Sequence, residues 1–212
     1  MHVVTDVELQ TRYSHAEIAE LAASGGADSV QFRDKRPRTT RELIEDARAV
    51  TAACVRHAVM CIVDDRADVA AAAGAQGLHL GRNDLPVEVA RRLLGREALI
   101  GATANTIEEA RRACQAPIDY LGVGPVWATA SKGERAPALG LDGLHAIVRE
   151  CPVPVIAIGC ITASRVGAAL DTGAYGVAVL SAITCAPSPR SAATEFKAVI
   201  SEHLGLAAGA AL

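Results

Sequence analysis

Short apolar runs alternate with amphipathic segments along the chain. Runs rich in Val, Ile, Leu and Ala predict buried strands at residues 3–5, 29–33, 60–63, 77–80, 99–101, 120–123, 154–158 and 176–180. Apolar residues recur at helical spacing between and after them, which predicts helices over 14–24, 39–57, 66–73, 86–94, 106–115, 141–149, 163–171 and 188–203. Strands that alternate with helices indicate an α/β fold with a parallel sheet.

A helix-end signal precedes every second predicted strand. It reads GGAD at 25–28, AGAQ at 73–76, APID at 116–119 and TGAY at 172–175. Glycine suits the left-handed position just past a helix, and the signals recur every ~40–57 residues, the length of two βα units. This regular doubling predicts a single (βα)8 TIM barrel over residues 1–204, with a flexible Gly/Ala-rich tail at 205–212. An open doubly wound sheet is the alternative.

Composition excludes several classes of function. Half of the residues are hydrophobic, yet the longest apolar runs are too short to span a bilayer. A formal net charge of −3 gives no whole-chain attraction to nucleic acid or to an anionic membrane. We expect no signal peptide, because a strand begins almost at the first residue. The six cysteines form no C-x-x-C pair, which favours reduced, mostly buried thiols in a cytoplasmic protein over disulfides or a zinc site.

Two carboxylates follow neighbouring predicted strands. Asp65 comes after the third strand and Asp84 after the fourth, so both belong to one rim of a barrel. Mg²⁺ typically takes one or two carboxylates together with waters and phosphate oxygens, and we therefore expect Asp65 and Asp84 to bind it. The alternative is that each aspartate only caps the helix that follows it, at Arg66 and at Pro86.

Cations follow the second predicted strand. Arg33 and Lys35 alternate along the chain, so both side chains are expected to point into the barrel mouth, where they suit a diphosphate. Gln31 lies on the same face and is expected to contact a ligand. A solvated loop is the competing interpretation, and it is the preferred one for Arg36 and Arg38.

Three later segments add candidate anion ligands. Residues 127–135 form a polar, glycine-bearing stretch typical of a lid, with Lys132 as its anion ligand, or else an ordinary surface loop. Gly159, Leu180 and Ser181 follow the last two strands, where barrels commonly bind phosphate through backbone N–H groups. A helix-capping role is the alternative for Ser181. His79, inside the fourth strand, is expected to be a satisfied core residue.

Seven segments together resemble the thiamine-phosphate synthase family along nearly the whole chain. They are VVTD (3–6), QFRDK (31–35), VDDRADVAAAAGAQGLHLGRNDLP (63–86), IGATANT (100–106), DYLGVGPVWATASK (119–132), PVIAIGCIT (154–162) and GVAVLSAI (176–183). The resemblance implies a cytoplasmic transferase that joins hydroxymethylpyrimidine diphosphate to hydroxyethylthiazole phosphate, with Mg²⁺-assisted loss of pyrophosphate. It implies no nucleic-acid or membrane partner, and it leaves a homo-oligomer open.

The resemblance also implies roles for individual residues. Gln31, Arg33 and Lys35 would hold the diphosphate, Asp65 and Asp84 would hold Mg²⁺, and Asp64 and Thr103 would lie near the pyrimidine. The lid residues Thr129, Ser131 and Lys132 would meet both phosphates, and Gly159, Leu180 and Ser181 would bind the thiazole phosphate. Arg33, Lys35 and Lys132 would carry catalysis by stabilising the charge on the departing pyrophosphate.

Two positions depart from the family pattern, and two other functions remain open. The family usually has Asn at Asp64 and a second Gly at Cys160, where a Cβ would crowd the phosphate if the backbone needs a positive φ. A thiazole tautomerase is one alternative, although such enzymes lack the paired carboxylates and usually carry a His soon after the fifth strand, where this chain reads TAN at 103–105. A non-catalytic ligand-binding barrel is the other.

Overall fold

A computed structural model describes residues 1–128 and 137–205 of the chain. Within these ranges parallel strands close into a barrel in sequence order, each paired with the next and the last paired with the first. The strands are β1 (His2–Val4), β2 (Ser29–Phe32), β3 (Met60–Asp64), β4 (Gly77–Leu80), β5 (Leu99–Ala104), β6 (Tyr120–Val123), β7 (Val155–Ile158) and β8 (Gly176–Val179). The predicted (βα)8 barrel is confirmed, and the open sheet is excluded.

Helices connect the strands and cover the outside of the barrel. They are α1 (His15–Ser24), α2 (Thr40–Arg56), α3 (Ala67–Ala73), α4 (Val87–Leu94), α5 (Ile107–Ala113), α6 (Gly140–Glu150), α7 (Val166–Leu170), α8 (Ser181–Thr184) and α9 (Pro189–His203). Two details differ from the sequence prediction. A 3₁₀ turn, Ala163–Arg165, precedes α7, and the single turn α8 lies between β8 and α9. One helical turn is too short to produce a repeated apolar spacing.

Hydroxyl side chains fix the starts of several helices, for which the sequence predicts caps at Thr39 or Thr40, Thr106, Thr162 and Ser188. Thr39, Thr106 and Ser188 each accept a hydrogen bond from the backbone N–H three residues further on, at the starts of α2, α5 and α9. The same expectation for Thr162 is wrong. Its side chain makes no capping hydrogen bond to the 3₁₀ turn, and its hydroxyl lies 3.1 Å from that of Ser164.

Two strand glycines make room for aromatic rings inside the barrel. Gly101 of β5 lies opposite both His79 and Tyr120 in the strand register, and a Cβ there would overlap the Tyr120 ring. A Cβ on Gly122 would lie 3.1 Å from the ring of His79. The phenol oxygen of Tyr120 is 2.9 Å from Nδ1 of His79. The rings of Tyr120 and His79 therefore lie next to each other inside the barrel, 5.5 Å apart between centroids and tilted by 32°.

Two further sequence expectations concern the ends of the chain and its relation to membranes. The predicted flexible tail, residues 205–212, lies outside the described residues except for Gly205. Across residues 1–128 and 137–205, every helix is too short or too polar to cross a bilayer. The assignment of residues 1–204 to one catalytic domain stays a prediction.

Candidate active site

Strands β2 and β3 bring basic and acidic side chains together at the carboxyl-end rim. Arg33 and Lys35 follow β2, Asp64 ends β3, and Asp65 comes next. The ammonium nitrogen of Lys35 lies 3.0 Å from Oδ2 of Asp64 and also contacts the carboxylate of Asp65. Nε of Arg33 lies 3.7 Å from Oδ2 of Asp64. The predicted alternation of Arg33 and Lys35 into one mouth is therefore matched by their common contacts.

The pKa values of Asp64 and Lys35 are both raised, for different physical reasons. Burial raises the pKa of Asp64, and the neighbouring negative charge of Asp65 raises it further. Burial alone would lower the pKa of Lys35, but the charges of Asp64 and Asp65 outweigh it, so the pKa of Lys35 is raised. The ammonium group thus stays protonated, and it offsets part of the negative charge at the rim.

Asp65 and Asp84 form a carboxyl pair across the ends of β3 and β4. Their side chains interact with each other, and burial together with the neighbouring Asp65 raises the pKa of Asp84 to about 6. Burial would also raise the pKa of Asp65, but Asp84 and Lys35 outweigh it and lower that pKa. Two neighbouring carboxyl groups repel each other when both are ionised, and a cation bound between them would relieve that repulsion.

The helix-capping alternative for this pair is excluded. Helix α3 begins after Arg66 and α4 after Pro86, and neither start has a capping bond from a side chain. Oδ2 of Asp84 instead accepts a hydrogen bond from the N–H of Gly81 at 2.6 Å, within its own loop. Asp65 has a φ of 60°, a left-handed conformation that non-glycine residues seldom adopt.

The donor set at this rim fits Mg²⁺ bound together with a substrate. Among the described residues, no group of three or more His, Cys, Asp or Glu side chains is arranged to enclose a metal ion. Two hard carboxylates, Asp65 and Asp84, suit an ion that takes its remaining ligands from water and phosphate oxygens.

Asp6 is a further carboxylate at this rim that was not predicted from the sequence. It follows β1, its side chain is nearly buried, and it forms an ion pair with the guanidinium of Arg33. The other oxygen of the carboxylate accepts from the N–H groups of Glu8 and Leu9, which fixes its orientation. The signal was present in the sequence, because Asp6 is a carboxylate just beyond an apolar strand, like Asp64.

His79 is not a simple core residue. It is half-buried, and its Nε2 lies 2.8 Å from the hydroxyl oxygen of Thr103 while its Nδ1 faces Tyr120. The chain Tyr120–His79–Thr103 therefore fixes a hydroxyl at the end of β5. Gln31, a candidate diphosphate contact, is 5% exposed on β2. The expectation of a satisfied histidine is correct, but the residue belongs to the mouth.

Backbone conformation is unusual where β7 ends. Gly159 has a φ of 108°, and a Cβ there would come within 2.6 Å of Cα of Pro125. Cys160 has a φ of 48°, so this position does adopt the positive φ that favours glycine. Its carbonyl oxygen accepts a hydrogen bond from Arg165 at 2.8 Å. The suspected conflict between a Cβ and the local backbone is thus present at Cys160.

Of the remaining predicted site residues, two lie in the part of the chain that the structure describes and three lie outside it. Leu180 precedes α8 and Ser181 is its first residue, so Ser181 does not act as the helix cap. Thr129, Ser131 and Lys132 lie outside the described residues. The described approach to that segment is tied to β7, because the N–H of Val126 donates to the carbonyl of Ile158 at 2.8 Å.

These features define a (βα)8-barrel protein whose carboxyl-end rim gathers basic and acidic side chains. The chain belongs to the thiamine monophosphate synthase family, whose model matches residues 1–183. It is 45% identical to the thiamine-phosphate synthase of Salinibacter ruber over 94% of this chain and 88% of that protein. It is 42% identical to that of Chloroflexus aurantiacus, over 95% and 92% of the two chains. The solved thiamine phosphate pyrophosphorylase of Pyrococcus furiosus superposes with a TM-score of 0.87 at 36% identity, covering 96% of each chain.

Proposed function

We propose that this protein is a thiamine-phosphate synthase. The enzyme would transfer the hydroxymethylpyrimidine group from its diphosphate to the ring nitrogen of hydroxyethylthiazole phosphate, releasing pyrophosphate. The observation that carries the proposal is the rim itself, where Arg33 and Lys35 lie beside the paired carboxylates Asp65 and Asp84. The family and its synthase relatives support the same reaction.

The reaction requires a carbon–oxygen bond to break before a new carbon–nitrogen bond forms. The pyrimidine ring stabilises the cation left at its methylene carbon, so no protein nucleophile is needed. Arg33 and Lys35 would stabilise the charge that develops on the departing pyrophosphate, because fixed cations in a partly buried site act on charge as it appears. Mg²⁺ held by Asp65 and Asp84 would neutralise further charge on the same leaving group.

Other residues would orient the two substrates. Asp64 and Thr103 would lie near the pyrimidine, and Gln31 would join Arg33 and Lys35 at the diphosphate. Gly159, Leu180 and Ser181 would accept the thiazole phosphate through the backbone at the ends of β7 and β8. Thr129, Ser131 and Lys132 are assigned to the lid from the sequence alone. Holding two substrates in attack geometry is a large part of what such an enzyme contributes.

One assay tests the proposal directly. The purified protein is incubated with both substrates and Mg²⁺, and thiamine phosphate and pyrophosphate are quantified. Equal amounts of the two products are expected. Isomerisation of the thiazole without coupling would favour the tautomerase alternative, and binding without turnover would favour the non-catalytic barrel. The paired carboxylates and Thr103 at the end of β5 make both alternatives less favoured. A cytoplasmic location and a homo-oligomer stay predictions.

A further inference from the structure

Lys35 is held by Asp64 and Asp65, and the proposed reaction would use Asp65 to bind Mg²⁺ and Asp64 near the pyrimidine. Its ammonium group contacts Asp65, one of the two candidate metal ligands, and lies 3.0 Å from Asp64. Its side chain is nevertheless 39% exposed, against 11% for Asp64. Lysine is a compact charge on a flexible stem, so the group is free to move to other partners within reach.

An ammonium group and a divalent cation compete for one carboxylate. Both seek the same oxygen lone pairs of Asp65, and they repel each other at contact distance in a partly buried site. Lys35 therefore cannot keep its place on Asp65 once a divalent ion binds there. The nearest other anion in the proposed reaction is the diphosphate, which needs a cation at that rim.

Arg33 differs from Lys35 in this respect. Its guanidinium is paired with Asp6, whose second oxygen is fixed by two backbone N–H groups, and its distance to Asp64 is 3.7 Å. Among the described residues, its ion pairs are with Asp6 and Asp64, and it forms none with Asp65 or Asp84. One cation of the rim is thus anchored, and the other rests on a metal ligand.

We propose that Lys35 is an exchangeable cation that occupies the metal position in the metal-free protein and is released toward the diphosphate when Mg²⁺ binds. The proposal rests on the proposed function, because it takes Asp65 as a metal ligand. Asp64 strengthens the hold on Lys35, since a carboxylate binds an ammonium group more tightly than the amide usual at this position would. Binding of Mg²⁺ would therefore also make Lys35 available to the departing pyrophosphate.

Calorimetric titration with Mg²⁺ alone, without any phosphate compound, tests the competition. Lys35→Met should bind Mg²⁺ roughly tenfold more tightly than the wild type, because it removes a charge-assisted contact that the metal must otherwise break. Lys197→Met is the matched control, since Lys197 pairs with Asp28 at 2.6 Å and is not part of the rim. It should leave Mg²⁺ affinity unchanged.

A second control separates competition from simple charge removal. Arg33→Met also removes a cation from the rim but frees no oxygen of Asp65, so its gain in Mg²⁺ affinity should be clearly smaller than that of Lys35→Met. Equal gains in the two variants would overturn the proposal, as would unchanged or weaker Mg²⁺ binding in Lys35→Met. Absence of Mg²⁺ binding in every protein would overturn it as well.

A measurement on the wild-type protein does not depend on any variant folding. Acetic anhydride labelling followed by mass spectrometry reports how accessible each lysine nitrogen is. Added Mg²⁺ should increase labelling of Lys35 severalfold and leave Lys197 unchanged; unchanged or reduced labelling of Lys35 at saturating Mg²⁺ contradicts the exchange. Formation of thiamine phosphate is assayed in parallel. If thiamine phosphate forms and the labelling of Lys35 does not change, the exchange alone is rejected. If no thiamine phosphate forms, the proposed function is rejected, whether or not Mg²⁺ changes the labelling of Lys35.

Discussion

Asp65 places its carboxylate on a backbone in the left-handed region, with a φ of 60°. Asp and Asn tolerate this conformation better than other residues with a side chain, because their short polar groups bond locally. Strained conformations of this kind persist where the surroundings enforce them and are concentrated at functional sites. The backbone of Asp65 therefore supports its assignment to the site independently of its charge.

Replacing Asp65 with Asn should separate catalysis from folding. Asn keeps the shape and the tolerance for positive φ but supplies a weaker metal ligand. We expect a loss of about 100-fold or more in kcat/KM with a change in unfolding free energy within about 1 kcal/mol. Asp65→Ala should lose similar activity and a further ~1 kcal/mol of stability. Steady-state kinetics and thermal melts check this, and an active Asn variant would exclude Asp65 as a ligand.

Cys160 offers the opposite experiment, a change toward glycine. Its φ of 48° costs a residue with a Cβ about 1–2 kcal/mol, whereas glycine would lose about 0.5–1 kcal/mol through the entropy of the unfolded chain. We expect Cys160→Gly to match or slightly exceed wild-type stability and to bind thiazole phosphate more tightly. Cys160→Ala, which keeps the Cβ, is the control and should bind like the wild type. The affinity for thiazole phosphate is measured by calorimetry. Equal affinities in the Gly and Ala variants would show that the Cβ of Cys160 does not crowd the phosphate.

The sequence could place residues at strand ends but could not identify their partners. Arg33, Lys35, Asp64, Asp65 and Asp84 were predictable because each follows a recognisable apolar strand. The roles of other residues depend on contacts between distant strands. Thr103 faces His79 only because β4 and β5 pair in one particular register, and the 24 residues that separate them carry no trace of it.

At the scale of elements, helices α5 and α6 are joined by an unexpected contact. Cys114 follows α5 and Cys151 follows α6, and their sulfur atoms lie 2.8 Å apart. The prediction of free thiols holds for all six cysteines, which lie in the described ranges, but the prediction that most are buried is wrong. Cys54 and Cys61 are buried, Cys114 and Cys151 half-buried, and Cys160 and Cys185 exposed. Spacing along the chain gave no sign of the pair, because 37 residues separate the two positions.

Mild oxidation should join Cys114 to Cys151. Hydrogen peroxide would take two hydrogens from the thiols and be reduced to water, and the new bond should raise the unfolding free energy by about 2–4 kcal/mol. Burial and the neighbouring Cys151 raise the pKa of Cys114 to about 12, so the reaction should be faster at alkaline pH. Peptide mapping and thermal melts check the bond, with Cys114→Ser as the control. A melting temperature that rises equally in this variant would exclude the pair as the cause.

At the scale of the whole molecule, the closed barrel followed from regularity alone. The alternation of strands and helices and the doubled helix-end signal leave few other arrangements, because parallel strands require a crossover between each pair. The single turn α8 was not visible in the sequence, since it makes no repeated pattern. The polar stretch 127–135 has no apolar periodicity, so the sequence predicts no helix or strand there.

The barrel interior should make the fold sensitive to acid. Burial, assisted by His79 and the N-terminus, lowers the pKa of His2 to about 3, against 6.5 when unfolded. The folded state then binds fewer protons than the unfolded state below pH 6.5, so this contribution to stability falls as pH drops from 6.5 toward 3.

Comparison with His2→Asn isolates that contribution. The wild type should lose up to about 1.4 kcal/mol of unfolding free energy per pH unit relative to the variant between pH 6.5 and 4.5, while Asp84 and the other carboxylates affect both proteins alike. Denaturant unfolding at several pH values checks this, and parallel curves for the wild type and His2→Asn would contradict it.

The two glycines that make room for the rings of Tyr120 and His79 have a consequence for genetics. A side chain at Gly101 would displace Tyr120, and one at Gly122 would press on His79, so either change would reach the hydroxyl of Thr103 through contacts already described. In a saturation screen scored by growth without thiamine, both positions should behave like substrate contacts although neither presents a side chain. Neither position should tolerate even alanine. Second-site changes that restore growth should fall on Tyr120 or His79 rather than on the helices outside the barrel.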